Sequence, residues 1–247
     1  MPSKYIGPIK RLGTAAIIAF VIAVLFPVIS NALLSEEARK SVLIHAIPFF
    51  AAFVGILLLF ILVIFLVALR YNGKVPGRCY SGIEYTIIAG ILGGVICLFQ
   101  PFSFVPYHYG FILVLVSLLS FILWSHVVPA TARQTADLPA LGSRQHLIGG
   151  VAGLVVAAII ASSYITSAAP QEPYGVRERV WNSYDDERKA SIAAEATSTF
   201  ASVEVPFLII FSLFPAAIIY FAVREAVAER RPDEQTIPQG VTAASSG

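Results

Sequence analysis

Four histidines are the residues most able to do chemistry in this chain of 247 residues. His45 and His108 each open a long apolar run, His126 closes one, and His146 opens another. If the runs cross a membrane in alternation, His45 and His108 fall at one face, His126 and His146 at the other. Two stacked b-type haems need one such imidazole pair per face, each ring ligating iron through an unprotonated nitrogen. The plainer reading takes precedence: a histidine at a helix end is an ordinary interfacial side chain, and spacing alone matches by chance. Glu84, next to Tyr85, is the second candidate. A carboxylate inside a membrane span is costly and reads as functional by default; held deeply, it could take a proton from a quinol or relay one inward. In the first turn of a helix it would instead meet the positive dipole end, with Arg78 or Lys74 within reach. That second reading is preferred, because Glu84 stands near the start of its run.

Other chemistries leave no trace. The two cysteines, Cys79 and Cys97, lie 18 residues apart. That is about 27 Å along a helix, against the roughly 7 Å between Cα atoms that a disulfide allows, so both are expected to be free thiols. There is no CxxCH, Walker A, GxGxxG or HExxH pattern, which leaves no sequence signal for covalent haem, nucleotide or catalytic zinc. A net charge of +2 gives no reason to expect nucleic acid, and no metal site is expected.

What must position these residues follows from composition. The chain is 57% hydrophobic and 13% charged, with mean hydropathy +0.78, whereas soluble domains carry about 25% charged residues. The apolar residues come in blocks long enough to cross a bilayer core as helix. Six runs stand out, at about 13–33, 41–69, 83–99, 107–128, 147–168 and 203–223. The fold class is therefore all-α: a polytopic membrane protein of six transmembrane helices, forming a single integral membrane domain over 1–247. The first run is too long for a secretory signal core and is read as an anchor. With both termini cytoplasmic, eleven Lys and Arg fall inside and six outside, as the positive-inside rule requires. The expected location is a bacterial inner membrane, with residues 224–247 forming a disordered cytoplasmic tail.

Small residues mark packing faces. Gly90 and Gly94 form a GxxxG pair with Thr86 a turn earlier, and Gly149, Gly153, Ala157 and Ala161 recur at four-residue steps. Such stripes let helix backbones approach closely, and packing inside the bundle is the expected use. The stretch FQPFSFVPYHYG (99–110) carries five aromatic rings and no charge. It reads as the outer turn between spans three and four, with Phe99, Phe102, Phe104, Tyr107 and Tyr109 at headgroup depth and a partner subunit lying over it. Residues 169–202 form the one sizeable outer loop. Within it Ser183 and Asp186 suggest a capping box, and Ile192, Ala196 and Phe200 suggest a short amphipathic helix against the outer face, with Trp181 and Tyr184 near the interface.

A transporter would carry polar groups at mid-depth and repeated halves, and neither pattern is present. Six spans with paired histidines superficially resemble the cytochrome b561 family, which would imply two b-type haems. The departure is that the family's ligands sit within its helices, while His126 and His146 lie at the ends of sequential spans. The stretch GGVICLFQPFSFVPYHYGFILVLVSLLSFILWSHVVP (93–129) resembles an accessory membrane subunit of alternative complex III, the quinol-oxidising assembly of phototrophic Chloroflexi-type bacteria. That resemblance spans about 40 residues and implies a non-catalytic subunit of an electron-transport complex, serving a respiratory or photosynthetic chain, with no cofactor of its own. Its partners would be other integral membrane subunits, lipids, and a periplasmic subunit over 99–110 and 169–202.

Overall fold

The computed structural model describes residues 5–101, 104–131, 138 and 140–228. The described residues are helical, with no strand among them. In chain order the helices are α1 (Ile6–Leu33), α2 (Glu36–Arg39), α3 (Val42–Tyr71), α4 (Gly77–Phe99), α5 (Phe104–Ser125), α6 (Ser143–Ala168), α7 (Glu178–Trp181), α8 (Asp186–Thr199) and α9 (Val205–Ala228). A π-helical turn, Phe200–Glu204, joins α8 to α9. Six helical stretches are long and apolar enough to cross a bilayer: α1, α3, α4, α5, α6, and the 43-residue run Asp186–Ala228 made by α8, the π turn and α9. The chain is thus an all-α, multi-pass membrane protein. Of the expected tail, residues 224–228 are the end of α9, and 229–247 lie outside the described residues.

The chain packs as two units. The first holds Met1–Val75 and Ile122–Pro129. In it α1 and α3 run antiparallel, with Tyr5 edge-on to Phe65 at 6.1 Å and the ring of Phe20 filling the space where Gly55 lacks a side chain. Pro48 sits in the second turn of α3, one turn past the positions where a missing N–H is free, so the Ile44 carbonyl loses its helical donor. The turn after α3 then clasps a distant segment. Asn72 Oδ1 accepts from the Val128 N–H at 2.8 Å, and the Gly73 N–H donates to the Val128 carbonyl at 2.8 Å. Gly73 holds φ +70°, which a glycine adopts without steric cost.

The second unit holds Pro76–Phe121 and Ala130–Gly247. Its contacts follow the small-residue stripes. A methyl on Gly149 would meet the Tyr220 carbonyl at 2.9 Å, and one on Gly153 the Ala216 carbonyl at 2.9 Å. The α6 stripe therefore lies directly on the backbone of α9, antiparallel to it, with Ala157 and Ala161 also buried. On α4, Gly94 meets the backbone of Val114 and Gly110 in α5, while Gly90 leaves room for Ser117 and Phe214. Both stripes are used inside this unit, as small residues at these spacings allow.

The segment before α9 departs from expectation. The predicted short helix exists as α8, but it runs on through the π turn into the last span. Its cap is Asp185, whose side chain accepts from the Arg188 N–H at 3.1 Å, in place of Ser183. The Ser183 hydroxyl is already committed, donating to the Val180 carbonyl at 2.7 Å at the end of α7. Trp181 is buried, with Tyr174 edge-on at 5.5 Å and Lys189 over its face at 6.0 Å.

Candidate functional site

Each histidine is exposed. His45 engages the Ser41 carbonyl through Nδ1 at 3.2 Å, and His126 the Ile122 carbonyl at 2.7 Å; both rings fold back on their own helix end. His108 lies edge-on to Tyr109 at 5.2 Å. His146 shares a 2.6 Å hydrogen bond between Nδ1 and the Tyr220 hydroxyl, which ties the start of α6 to α9. His45 and His126 belong to the first unit, His108 and His146 to the second, so each expected haem pair draws one ring from each. Among the described residues no group of three or more His, Cys, Asp or Glu is placed to hold a metal ion.

In the second unit, α4 and α6 begin and α9 finishes at the same end, here called the tail end. Arg78 makes a forked bond to Glu225: Nε lies 3.1 and 3.0 Å from the two carboxylate oxygens, and the second guanidinium nitrogen 2.6 Å from Oε1. Glu225 is 4% exposed, so this pairing is what makes its burial tolerable. The Cys79 thiol donates to the Phe221 carbonyl at 3.4 Å, and both cysteines are free. Glu84 is half-buried on α4 and acts electrostatically on Tyr80. Of the two cations expected near it, Arg78 and Lys74, Arg78 is bound to Glu225. Tyr85 is 70% exposed and faces away from the unit.

The opposite end, here called the turn end, carries the end of α4, the start of α5 and the 169–204 segment. Between α5, α6 and α9 lies a cavity of about 250 Å³, lined by Ile112, Leu113, Ile160 and Leu208 and flanked by Tyr109 and Tyr164. Tyr109 comes from the second turn of α5 and packs edge-on to Phe211 of α9 at 5.8 Å; Tyr164 comes from the last turns of α6. Ser212 borders the cavity, but its hydroxyl is spent on the Ile209 carbonyl at 2.7 Å. The two phenols are therefore the polar groups free to orient a guest. Glu204, in the π turn, is close enough to act electrostatically on Tyr109, as is Tyr164. Glu204 also lines an open polar groove with Gln171, Tyr174, Glu195 and Thr199. Apolar walls with a few convergent polar groups are the usual make-up of a small-molecule site, and single π turns recur beside such sites.

Neither Glu84 nor Tyr85 borders this cavity. Tyr109 was visible in the sequence only as one of five belt aromatics. Tyr164 carried a usable signal: a lone phenol four residues beyond Ile160 near the end of a small-residue span. The chain matches no protein-family model, no curated protein and no solved structure.

Proposed function

We propose that this chain is a non-catalytic accessory subunit of a multi-subunit, quinol-oxidising electron-transport complex in a bacterial inner membrane, with both termini cytoplasmic. The observation that carries the reading is how little of its membrane surface the chain covers by itself. Within the most apolar stretch of each span, between 6% (α3) and 22% (α4) of residues are buried. Helices so sparsely covered leave long faces for lipid and for the helices of other subunits, where close packing supplies the association energy.

The quinol part rests on the likeness of residues 93–129 and on the cavity that α5 helps to build. Four of its lining residues, Tyr109, Ile112, Leu113 and Val116, come from that stretch. An apolar slot with phenols at one end suits a lipid-soluble ring carrying oxygen substituents: the ring displaces lipid from the walls, and a phenol hydrogen-bonds the oxygen. The chain's role at such a site is to bind and orient, while electron transfer belongs to cofactors on other subunits.

Extraction of the tagged chain from its native membrane in mild detergent tests this. Co-elution with further integral membrane subunits and with quinol-oxidising activity is the expected result. A monodisperse single chain moving a solute in liposomes refutes it. So does a reduced b-type absorption band of the isolated chain that is lost in His45→Ala or His108→Ala, which would make it a dihaem carrier.

A further inference from the structure

Arg224, four residues before the end of α9, is 8% exposed, and its Nε is buried with no hydrogen-bond partner. The neighbouring carboxylate, Glu225, has both oxygens occupied by Arg78. The Arg224 guanidinium instead lies over two aromatic faces, Phe221 at 4.9 Å and Tyr220 at 5.4 Å. Its Cβ abuts the space that Gly149 leaves open on α6. A guanidinium does not shed its proton in proteins, so this end of the unit buries a full positive charge that no carboxylate among the described residues neutralises through an ion pair.

A buried charge is retained where something compensates it, and aromatic faces do so only in part. Nε is sealed within the protein, whereas the terminal guanidinium nitrogens are not among its buried, unpartnered atoms, so an anion would meet their N–H groups. The Arg224 Cβ packs at Gly149, in the second turn of α6, near the end where α9 finishes and the neighbouring Glu225 meets Arg78 of α4. At that depth the abundant anion is the phosphate of a lipid headgroup, whose oxygens match the planar guanidinium fork. We propose that Arg224 anchors the phosphate of an anionic phospholipid at the tail end of the second unit. This inference does not rest on the quinol reading.

The test uses the full chain, stripped of lipid in a neutral detergent and titrated with phosphatidylglycerol, with phosphatidylcholine, or with inorganic phosphate. Binding is followed by native mass spectrometry and by thermal unfolding. Phosphatidylglycerol should be retained selectively and raise the unfolding temperature. Arg224→Gln should weaken its retention about tenfold or more, the worth of a charge-assisted hydrogen bond. Arg144→Gln, which removes an exposed cation at the start of α6, should leave retention within about twofold, because exposed charges contribute little. Equal retention of the two lipids, equal loss in both variants, or the same stabilisation by inorganic phosphate alone would each overturn the proposal. If neutralising Glu229, Asp233 and Glu234 together creates a lipid dependence that the unaltered chain lacks, the chain's own acids are the counter-ion and the proposal fails. Should Arg224→Gln not fold, Arg224→Lys gives the second reading: it keeps the charge, loses the fork, and should still lose selectivity.

Discussion

Gly149 and Gly150 are adjacent in α6 and ask opposite things of a methyl group. At Gly149 an added Cβ meets the Tyr220 carbonyl oxygen at 2.9 Å, the Arg224 Cβ at 3.0 Å and the Tyr220 ring at 3.2 Å, whereas at Gly150 it meets nothing within 4 Å. The carbonyl belongs to the α9 backbone, so no rotamer change relieves the clash. The helices must part by roughly 0.5 Å to restore ordinary van der Waals spacing. Gly153, pressed against the Ala216 carbonyl at 2.9 Å, would lose its contact in the same movement. Overpacking of this kind costs about 1–3 kcal/mol, offset by up to about 1 kcal/mol from replacing a helical glycine with alanine. Gly149→Ala should therefore destabilise the second unit by about 1–2 kcal/mol, a fall of roughly 2–8 °C for a chain of this size. Gly150→Ala keeps only the propensity gain and should be neutral or slightly stabilising. With Cys97 replaced by Ser, Cys79 supplies the readout: its thiol is buried beneath the Phe221 carbonyl, so its reaction with a thiol-specific fluorogenic dye reports the loosening of α9 within the unit. Equal losses in the two variants, or no loss in Gly149→Ala, would refute the close α6–α9 contact.

Arg78→Gln strands the buried carboxylate of Glu225 and should lower stability by about 1–3 kcal/mol in the same dye assay; the double variant Arg78→Gln, Glu225→Gln should recover most of the loss, since the cost lies in the unpaired charge. Asp185→Ala removes the α8 cap at about 1 kcal/mol, and hydrogen exchange should quicken in the first turn after residue 185 while α6 is unchanged. Ile160→Trp fills the cavity between α5, α6 and α9; the proposed quinol role requires it to raise the KM for quinol of the co-eluting complex without disturbing co-elution, and an unchanged KM would remove the cavity from that proposal. A cysteine placed at Glu187 should label in intact cells with a membrane-impermeant reagent, and one at Arg230 only after lysis; the reverse pattern would invert the topology.

The spans were legible because the hydrophobic signal is strong over twenty-residue windows, but their ends were not. Helix α1 starts at Ile6, ahead of the apolar run, and α9 continues to Ala228. Lys10, Arg11, Arg224 and Glu225 count against hydropathy, yet such residues are good helix formers at headgroup depth. The alanines and valines on either side of Arg224 and Glu225 were the missed sign that the helix carries on. Helix α5 errs the other way. It stops at Ser125, and Val128 is taken by Asn72 and Gly73, a pairing across 56 residues that no local pattern announces. The packing stripes were readable because a glycine every four residues has few other uses in a span. The cavity was not, because Tyr109, Tyr164 and Leu208 come from three helices whose order in space is absent from the sequence.

The unbroken run Asp186–Ala228 has a mechanical consequence. Forty-three helical residues measure about 65 Å, while the oily slab of a bilayer is about 30 Å thick. Roughly half of this rod therefore stands clear of the hydrocarbon. A protein that grips the projecting part holds a lever whose other arm lies among α4, α5 and α6. The widened turn beside Glu204 is the joint at which a pull on that lever would be felt first.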